Sequence, residues 1–202
     1  MVKATLFLDM SIQILEQLFD SQTKVRLLKL FLRNPDAVFT LAEIAVKIQM
    51  EAGACRRQIE KLESIKLVLS RVKGGRKYYF INKKFDFYNE LGTLVLKSSP
   101  TSKKKILDDS KQLGKISLLV ISGVFIGAEN TRADIMIVGD DIEEKKVNDY
   151  IKALEAEVGK EIDFVVLTTA DFKYRYEMFD RFIRDVFEKK HETLINKFGF
   201  VR

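Results

Sequence analysis

Residues 39–82 read FTLAEIAVKIQMEAGACRRQIEKLESIKLVLSRVKGGRKYYFIN, and they carry the clearest local signals in the chain. Thr40 followed three residues later by Glu43 is the pattern of a capping box, so a helix is expected to begin there. After a short turn, another helix is expected over residues 52–65. Gly74-Gly75 then lies between two stretches rich in β-forming residues, which is a strong signal for a two-residue hairpin.

A further helix is expected before this stretch. Val25, Leu28 and Leu32 recur at helical spacing, and Ser21 is placed to cap the N terminus. Pro35 is expected to end the helix, because proline disfavours helical backbone in the residue before it. With AVFT as a short strand or extended segment, the order becomes helix, strand, helix, turn, helix, hairpin, which is that of a winged helix.

Charge is distributed unevenly along the 202 residues. Residues 1–97 carry 17 Lys+Arg and 10 Asp+Glu, whereas residues 98–202 carry 18 and 19. The net charge of +6 therefore belongs to the first half, as expected if only that half binds a polyanion. The alternative is that the extra lysines are ordinary solvated surface residues. This alternative becomes less favoured once the cations are placed on the motif.

The helix expected over residues 52–65 has an apolar face and an opposite, polar one. Cys55, Ile59 and Leu62 lie at i, i+4 and i+7 and define the buried face. Gly53 and Arg57 point nearly opposite that face, where Gly53 leaves room for close approach to a duplex. Cys55 is the only cysteine and is expected in the core; it cannot form an internal disulfide, which fits a reducing cytosol.

Cations at the start of this helix are suited to reading DNA. Arg56 lies at the edge of the buried face, and Lys61 and Glu60 lie on its flanks. A planar guanidinium near the start of an exposed helix matches guanine O6 and N7 in the major groove. The alternative for the arginines is ion pairing on the helix surface, for instance between Arg56 and Glu60.

Four cations surround the glycine tip of the expected hairpin: Arg71, Lys73, Arg76 and Lys77. A tip with this charge is suited to phosphates or to a minor groove. The alternative is a solvated hairpin whose lysines protect it from aggregation.

The run RRQIEKLE…LVLSR…GGRKYYFIN resembles the DNA-binding half of winged-helix transcriptional regulators. Those regulators usually place Ser or Thr before the recognition helix and Gly in the turn, whereas this chain has Glu51 and Gln49. The resemblance implies a double-stranded DNA surface made of Gly53, Arg56, Arg57, Lys61, Arg71, Lys73, Arg76 and Lys77.

The second half of the chain has a different pattern of expected secondary structure. Helices are expected over residues 86–97 and about 102–113, joined by the linker SSPTS. The segments KISLLVISG, ADIMIVGD and EIDFVVLT are expected to be strands, with helices over residues 141–158 and about 171–197. Strands that alternate with helices predict an α/β domain with a mixed or parallel sheet.

The segment LLVISGVFIGAENTRADIMIVGD resembles the signature of minimal nucleotidyltransferases. In that family a Gly-Ser turn approaches the nucleotide phosphates, and paired aspartates at i and i+2 hold two divalent metals. The resemblance places Ser122 and Gly123 at the turn, Asp134 at the first metal position and Met136 at the second, with Asp163 as a possible third carboxylate.

Met136 departs from the aspartate pair of this signature. The departure argues against metal binding, because a neutral thioether is a poor ligand for Mg²⁺. The resemblance therefore implies a nucleotidyltransferase fold without catalytic residues, metal or cofactor, in which Ser122, Gly123, Asp134 and Asp163 mark a vestigial site. An active, metal-dependent nucleotidyltransferase that uses Mg²⁺ and a nucleotide is the alternative.

The whole arrangement, from residue 18 to about 187, is similar to a group of prokaryotic transcriptional regulators. It implies an α+β chain with a winged-helix domain at 18–84, a helical linker at 85–113 and a nucleotidyltransferase-like α/β domain at 114–202. The expected function is a cytoplasmic regulator that binds double-stranded DNA through the first domain and uses the second for dimerisation or for sensing a partner or nucleotide. An antitoxin-like module is a further alternative.

A homodimer is expected, because two recognition helices then match two half-sites one turn of DNA apart. Leu91, Leu94 and Val95 at i, i+3 and i+4 are candidates for that interface, or else for packing within the monomer. A protein partner is possible, whereas a membrane is not expected, because no apolar run is long enough to span one. His191, the only histidine, is expected at the solvated surface, so a zinc site of Cys and His ligands is excluded.

Overall fold

A computed structural model of the chain describes residues 14–97 and 101–199. The fold is mixed α+β, with a three-stranded antiparallel sheet and a four-stranded mixed sheet among these residues. The chain divides into two compact units at residue 100, and residues 155–160 are counted with the first unit. The α+β class expected from the sequence is confirmed.

In the described part of the first unit, residues 14–19 are helical. Its sheet has the order β1-β3-β2, and every pairing in it is antiparallel. The labelled elements are α1 (Gln22–Arg33), β1 (Phe39–Thr40), α2 (Leu41–Lys47), α3 (Ala52–Ser64), β2 (Val68–Lys73), β3 (Arg76–Ile81) and α4 (Tyr88–Lys97).

The predicted helix caps are present. The Ser21 hydroxyl accepts a hydrogen bond from the Lys24 N–H at 3.2 Å, so α1 begins as expected. It ends at Arg33, with Asn34 as its C-cap before the proline. At α2 the Thr40 hydroxyl accepts from the Glu43 N–H, and the Thr40 N–H donates to the Glu43 carboxylate at 2.7 Å. This hydrogen bond lowers the pKa of Glu43, and the capping box is confirmed.

The hairpin between β2 and β3 turns at the two glycines. Gly74 and Gly75 have φ angles of 57° and 73°, and Lys73 pairs directly with Arg76. Such a turn needs positive φ at both central residues, which residues with a Cβ rarely adopt. The predicted two-residue hairpin is confirmed.

The core of the first unit forms under α3 and the sheet. Cys55, Ile59 and Leu62 are buried, which confirms the predicted buried face of α3. Burial raises the pKa of the Cys55 thiol, so the group stays protonated at neutral pH. Other members of the cluster are Leu27, Leu28, Phe31, Phe39, Ile44, Ile48, Val68, Tyr79 and Ile81.

The apolar face of α4 is divided between core and solvent. Val95 is fully buried in the core of the first unit, and Leu91 packs against that core. Leu94 is 48% exposed and Leu96 is 38% exposed. Packing within the unit therefore uses Val95 and Leu91, which leaves Leu94 on the surface.

The second unit contains a sheet of order β6-β5-β4-β7, in which β5 and β6 are parallel and the other pairs are antiparallel. The mixed sheet and its first three strands agree with the prediction. The elements are α5 (Lys103–Ser110), β4 (Lys115–Ile121), a 3₁₀ turn (Gly123–Phe125), β5 (Ile135–Asp140), α6 (Glu144–Val158, of which residues 155–158 are counted with the first unit), β6 (Phe164–Leu167), α7 (Thr169–Glu177), α8 (Arg181–Glu188) and β7 (Glu192–Asn196).

The single helix expected over residues 171–197 is wrong. Phe179 has a φ of 54° and separates α7 from α8, whose N terminus is capped by the Asp180 carboxylate. The last part of the segment, Glu192–Asn196, is the strand β7. It pairs with β4, and pairing with a distant strand is a tertiary contact that overrides local helical spacing.

The described helices are short. α6, the longest of them, has 15 residues. None of the helices in the described residues is both long and apolar enough to cross a membrane. The predicted SSPTS linker lies mostly outside the described residues, and α5 ends at Ser110, slightly before the expected residue 113.

Candidate nucleic-acid interface

The three predicted cations of α3 are exposed: Arg56, Arg57 and Lys61. Among the described residues, no carboxylate forms an ion pair with Arg56 or Arg57. Gly53 is half-buried, and a Cβ added there would lie 3.5 Å from a Glu51 side-chain oxygen and 3.7 Å from the Arg57 guanidinium. These are ordinary contacts, so the fold itself does not require glycine at this position.

The hairpin presents two different faces. Strand pairing aligns Arg71 with Tyr78 and Lys73 with Arg76, so these four side chains share one face, together with the Phe80 ring. We call this the outer face. The opposite, inner face carries the buried residues Val68, Tyr79 and Ile81, and it also carries Lys77.

Lys77 turns towards α3. Its ammonium lies 3.1 Å from the Glu63 carboxylate and 4.9 Å from the centre of the Tyr79 ring. Of the four predicted hairpin cations, Lys77 is thus the one engaged by an acidic side chain of α3. Arg71, Lys73 and Arg76 are exposed, and no carboxylate of the described residues pairs with them.

A cleft of about 570 Å³ runs between α3 and the hairpin, and we call it the helix–hairpin cleft. It brings the first residues of α2 together with cations from both elements. Its lining residues are Thr40, Leu41, Ala42, Arg56, Glu60, Arg76, Lys77 and Tyr79. The helix and the hairpin therefore contribute to one continuous surface.

A second cleft, of about 530 Å³, lies on the outer face of the hairpin, and we call it the outer-face cleft. Its lining residues are Val38, Arg71, Lys73, Gly74, Arg76 and Tyr78. Arg76 lines both clefts. Sequence reasoning placed the cations here but missed Tyr78, although its i+2 spacing from Arg76 on a strand puts the two side chains on one face.

The residues that the nucleotidyltransferase resemblance singles out are engaged within the second unit. Ser122 is 4% exposed, and its hydroxyl donates to the Lys190 carbonyl at 2.9 Å. Gly123 has a φ of 49°, and a Cβ added there would collide with the Asp134 carboxylate. Glycine is therefore required at 123 by the fold.

The Asp134 carboxylate joins two segments of backbone. One oxygen accepts from the Val124 N–H at 2.8 Å and the other from the Asp163 N–H at 3.0 Å. The Asp134 backbone also accepts from the Ser122 N–H and donates to the Asp163 carbonyl. Asp163 contributes to these hydrogen bonds through its backbone, and its side chain is exposed.

Met136 lies in the core of the second unit. It is 1% exposed and packs in a cluster with residues of the sheet, α7 and α8. The cluster also contains Leu118, Val120, Val138, Leu167, Phe172, Ile183, Val186 and Phe198. The position at which the resemblance expects a second metal-binding carboxylate is thus filled by apolar packing.

Replacing Asp134 with Asn is expected to lower the free energy of unfolding by about 1–2 kcal/mol. An amide has one acceptor oxygen, so one of the two backbone N–H groups would face an NH₂ group instead. Chemical denaturation followed by circular dichroism measures the change. Asp163→Asn is the matched control and should change stability by less than about 0.5 kcal/mol, because that side chain is exposed. Equal losses for the two variants would contradict this account.

Within the described residues, no group of three His, Cys, Asp or Glu side chains is placed to hold a metal ion. His191 is half-buried rather than fully solvated: its ring packs edge-on against Phe187 at 5.3 Å, and Nδ1 lies 2.8 Å from the Lys189 carbonyl. Its surroundings are an aromatic ring and backbone, which are structural contacts.

In comparisons with known proteins, no family model, no curated protein and no solved structure matches the chain.

Proposed function

We propose that the chain is a transcriptional regulator that binds double-stranded DNA through a winged-helix first unit. The helix–hairpin cleft carries this proposal, because it joins Arg56 of α3 to Arg76 and Lys77 of the hairpin. An exposed helix with arginines near its start fits a major groove, and a cationic hairpin beside it fits the flanking phosphates. The excess of cations in the first half of the chain supports the same conclusion.

Binding to randomised duplex DNA, followed by sequencing of the retained molecules, tests this proposal. Enrichment of a short sequence is expected, because Arg57 stands exposed on the face of α3 opposite the core. Retention without enrichment would indicate backbone contacts alone and would contradict a sequence-specific regulator. Failure to retain duplex at low salt would contradict DNA binding altogether.

Lys73→Ala is expected to weaken binding to every duplex to a similar extent. Lys73 flanks the hairpin tip, where a point charge contacts phosphate and carries no sequence information. The slope of log K against log salt should become shallower by about 0.9, which corresponds to one phosphate contact. Titrations at several salt concentrations measure the slope, and a loss confined to one duplex sequence would show that Lys73 reads bases instead.

For the second unit, we propose a nucleotidyltransferase-like fold that serves in dimerisation or in sensing a partner or nucleotide rather than in catalysis. The contacts of Asp134 and Met136 support this, because both side chains hold the fold together. Light scattering in the presence and absence of duplex tests dimerisation. A monomer that binds a single half-site would contradict it.

Active nucleotidyl transfer is tested by incubating the full chain with Mg²⁺ and labelled nucleoside triphosphates. No transfer is expected. Transfer that disappears in the Asp134→Ala variant would overturn the proposed role of the second unit, without bearing on DNA binding by the first.

A further inference from the structure

We propose that the outer face of the hairpin binds single-stranded DNA through a site that shares Lys73 and Arg76 with the proposed duplex surface and adds aromatic rings of its own. The outer-face cleft combines three cations with an aromatic ring, and none of the described residues that line it is acidic. The helix–hairpin cleft differs, because it contains Glu60, and its Lys77 is paired with Glu63. Of the two clefts, the outer-face cleft therefore has the more purely cationic lining.

The cations of the outer face are arranged in a row. Arg71 and Lys73 alternate along β2, and Arg76 lies directly opposite Lys73 on β3. All three are exposed, and no carboxylate of the described residues pairs with them. Side chains at i and i+2 on a strand point the same way, so these charges form a track that a phosphate backbone can follow.

Aromatic rings lie beside this track. Tyr78 lines the cleft, and Phe80 lies two residues further along the same face; both are half-buried. The Arg71 guanidinium lies over the Phe80 ring at 5.8 Å, so it adds a planar cation to the aromatic surface. Rings and guanidinium planes of this kind are platforms on which unpaired bases stack.

Stacking favours a single strand over a duplex. In a duplex, each base face is covered by the next base pair, so a ring on the protein surface has nothing to stack against. An unpaired strand exposes its base faces, and every base has one, so binding tolerates many sequences. The combination of a phosphate track with aromatic platforms is therefore matched to an unpaired strand.

The occupant we infer is DNA rather than another polyanion, because Arg76 lines both clefts. The outer face is thereby continuous with the surface proposed for duplex DNA. A strand released by local opening of a bound duplex would reach the outer face directly. This choice of DNA rests on the proposed function, whereas binding of a single strand does not.

Fluorescence anisotropy with the full chain tests the inference. The probes are labelled oligo-dT and oligo-rU of about 12 nucleotides and a labelled duplex, each at low salt. Tyr78→Ala is expected to weaken oligo-dT binding by roughly tenfold or more, since it removes one stacking platform. Tyr78→Phe, the matched control, keeps the ring and should retain the affinity of the unaltered chain.

The two surfaces should separate by mutation. Arg57→Ala is expected to leave oligo-dT binding unchanged while it weakens binding to the duplex selected from the random pool. Tyr78→Ala should weaken oligo-dT binding and leave binding to that duplex unchanged. Arg76→Ala should weaken both. If Tyr78→Ala fails to fold, Arg71→Gln serves instead, because Arg71 is exposed and lies directly opposite Tyr78 on the same face, and it should weaken oligo-dT binding selectively.

Four results would overturn the inference: no binding of oligo-dT, equal loss of duplex and oligo-dT binding in Tyr78→Ala, unchanged oligo-dT binding in that variant, or tighter binding of oligo-rU than of oligo-dT. If the unaltered chain binds oligo-dT in a Tyr78-dependent way but does not bind the duplex, the proposed regulator is contradicted and the single-strand site stands.

Discussion

Replacing Met136 with Asp is expected to destabilise the second unit by about 3–5 kcal/mol or more. The side chain is 1% exposed and packs among apolar residues such as Val138 and Phe172. A carboxylate there would be buried without a hydrogen-bond donor or a cation, and it would either unfold the unit or take up a proton. Thermal and chemical unfolding followed by circular dichroism measure the loss.

The same variant tests the enzymatic alternative, because it restores the second aspartate of the nucleotidyltransferase pattern. Met136→Leu is the matched control: it keeps the volume and the apolar character and should cost less than about 1.5 kcal/mol. A Met136→Asp protein that folds normally and transfers a labelled nucleotide in the presence of Mg²⁺ would show that the position faces a working site rather than a core.

Local signals predicted the first unit well. The caps at Ser21 and Thr40 and the Gly74-Gly75 turn depend on groups only a few residues apart, so the sequence specifies them directly. The face of α3 that contains Ile59 followed from helical periodicity, and exposure of Arg57 followed from the same geometry.

Contacts between distant parts of the chain were not predictable in this way. Lys29 is 2% exposed, although lysines lie mostly at protein surfaces, and Gly159 approaches its backbone so closely that a Cβ there would lie 2.6 Å from the Lys29 carbonyl carbon. Burial, assisted by the charge of Arg33, lowers the pKa of Lys29 to about 8. No local pattern encodes that contact, just as none encoded the pairing of β7 with β4.

The candidate sites show the same difference between local signals, which were predictable, and distant contacts, which were not. Clustering of cations around the hairpin tip was visible in the sequence, but the assignment of Lys77 to the inner face and of Arg71 to the outer face needed the strand register. In the second unit, the resemblance placed Asp134 on a strand, and in the structure the residue lies directly before β5. Only the fold shows that both its carboxylate oxygens accept backbone N–H groups.

Arg57→Ala is expected to lower the affinity for the preferred duplex by roughly 1–3 kcal/mol and to leave the affinity for unrelated duplexes nearly unchanged. Arg57 is exposed on the face of α3 opposite the core, without an ion-pair partner among the described residues. Its guanidinium is thus available for a bidentate contact with a guanine. Anisotropy titrations with the selected duplex and with a scrambled one measure the difference between the two losses.

Two matched variants separate base reading from charge. Arg57→Lys keeps the charge but loses the planar fork, so it should retain binding to the scrambled duplex and lose most of the preference. Lys84→Ala removes an exposed cation that lies outside α3 and the hairpin, and it should change neither affinity by more than a small factor. Should Arg57→Ala weaken both duplexes equally and Arg57→Lys restore both, the residue contacts phosphate, and sequence preference must come from Arg56 or from the hairpin.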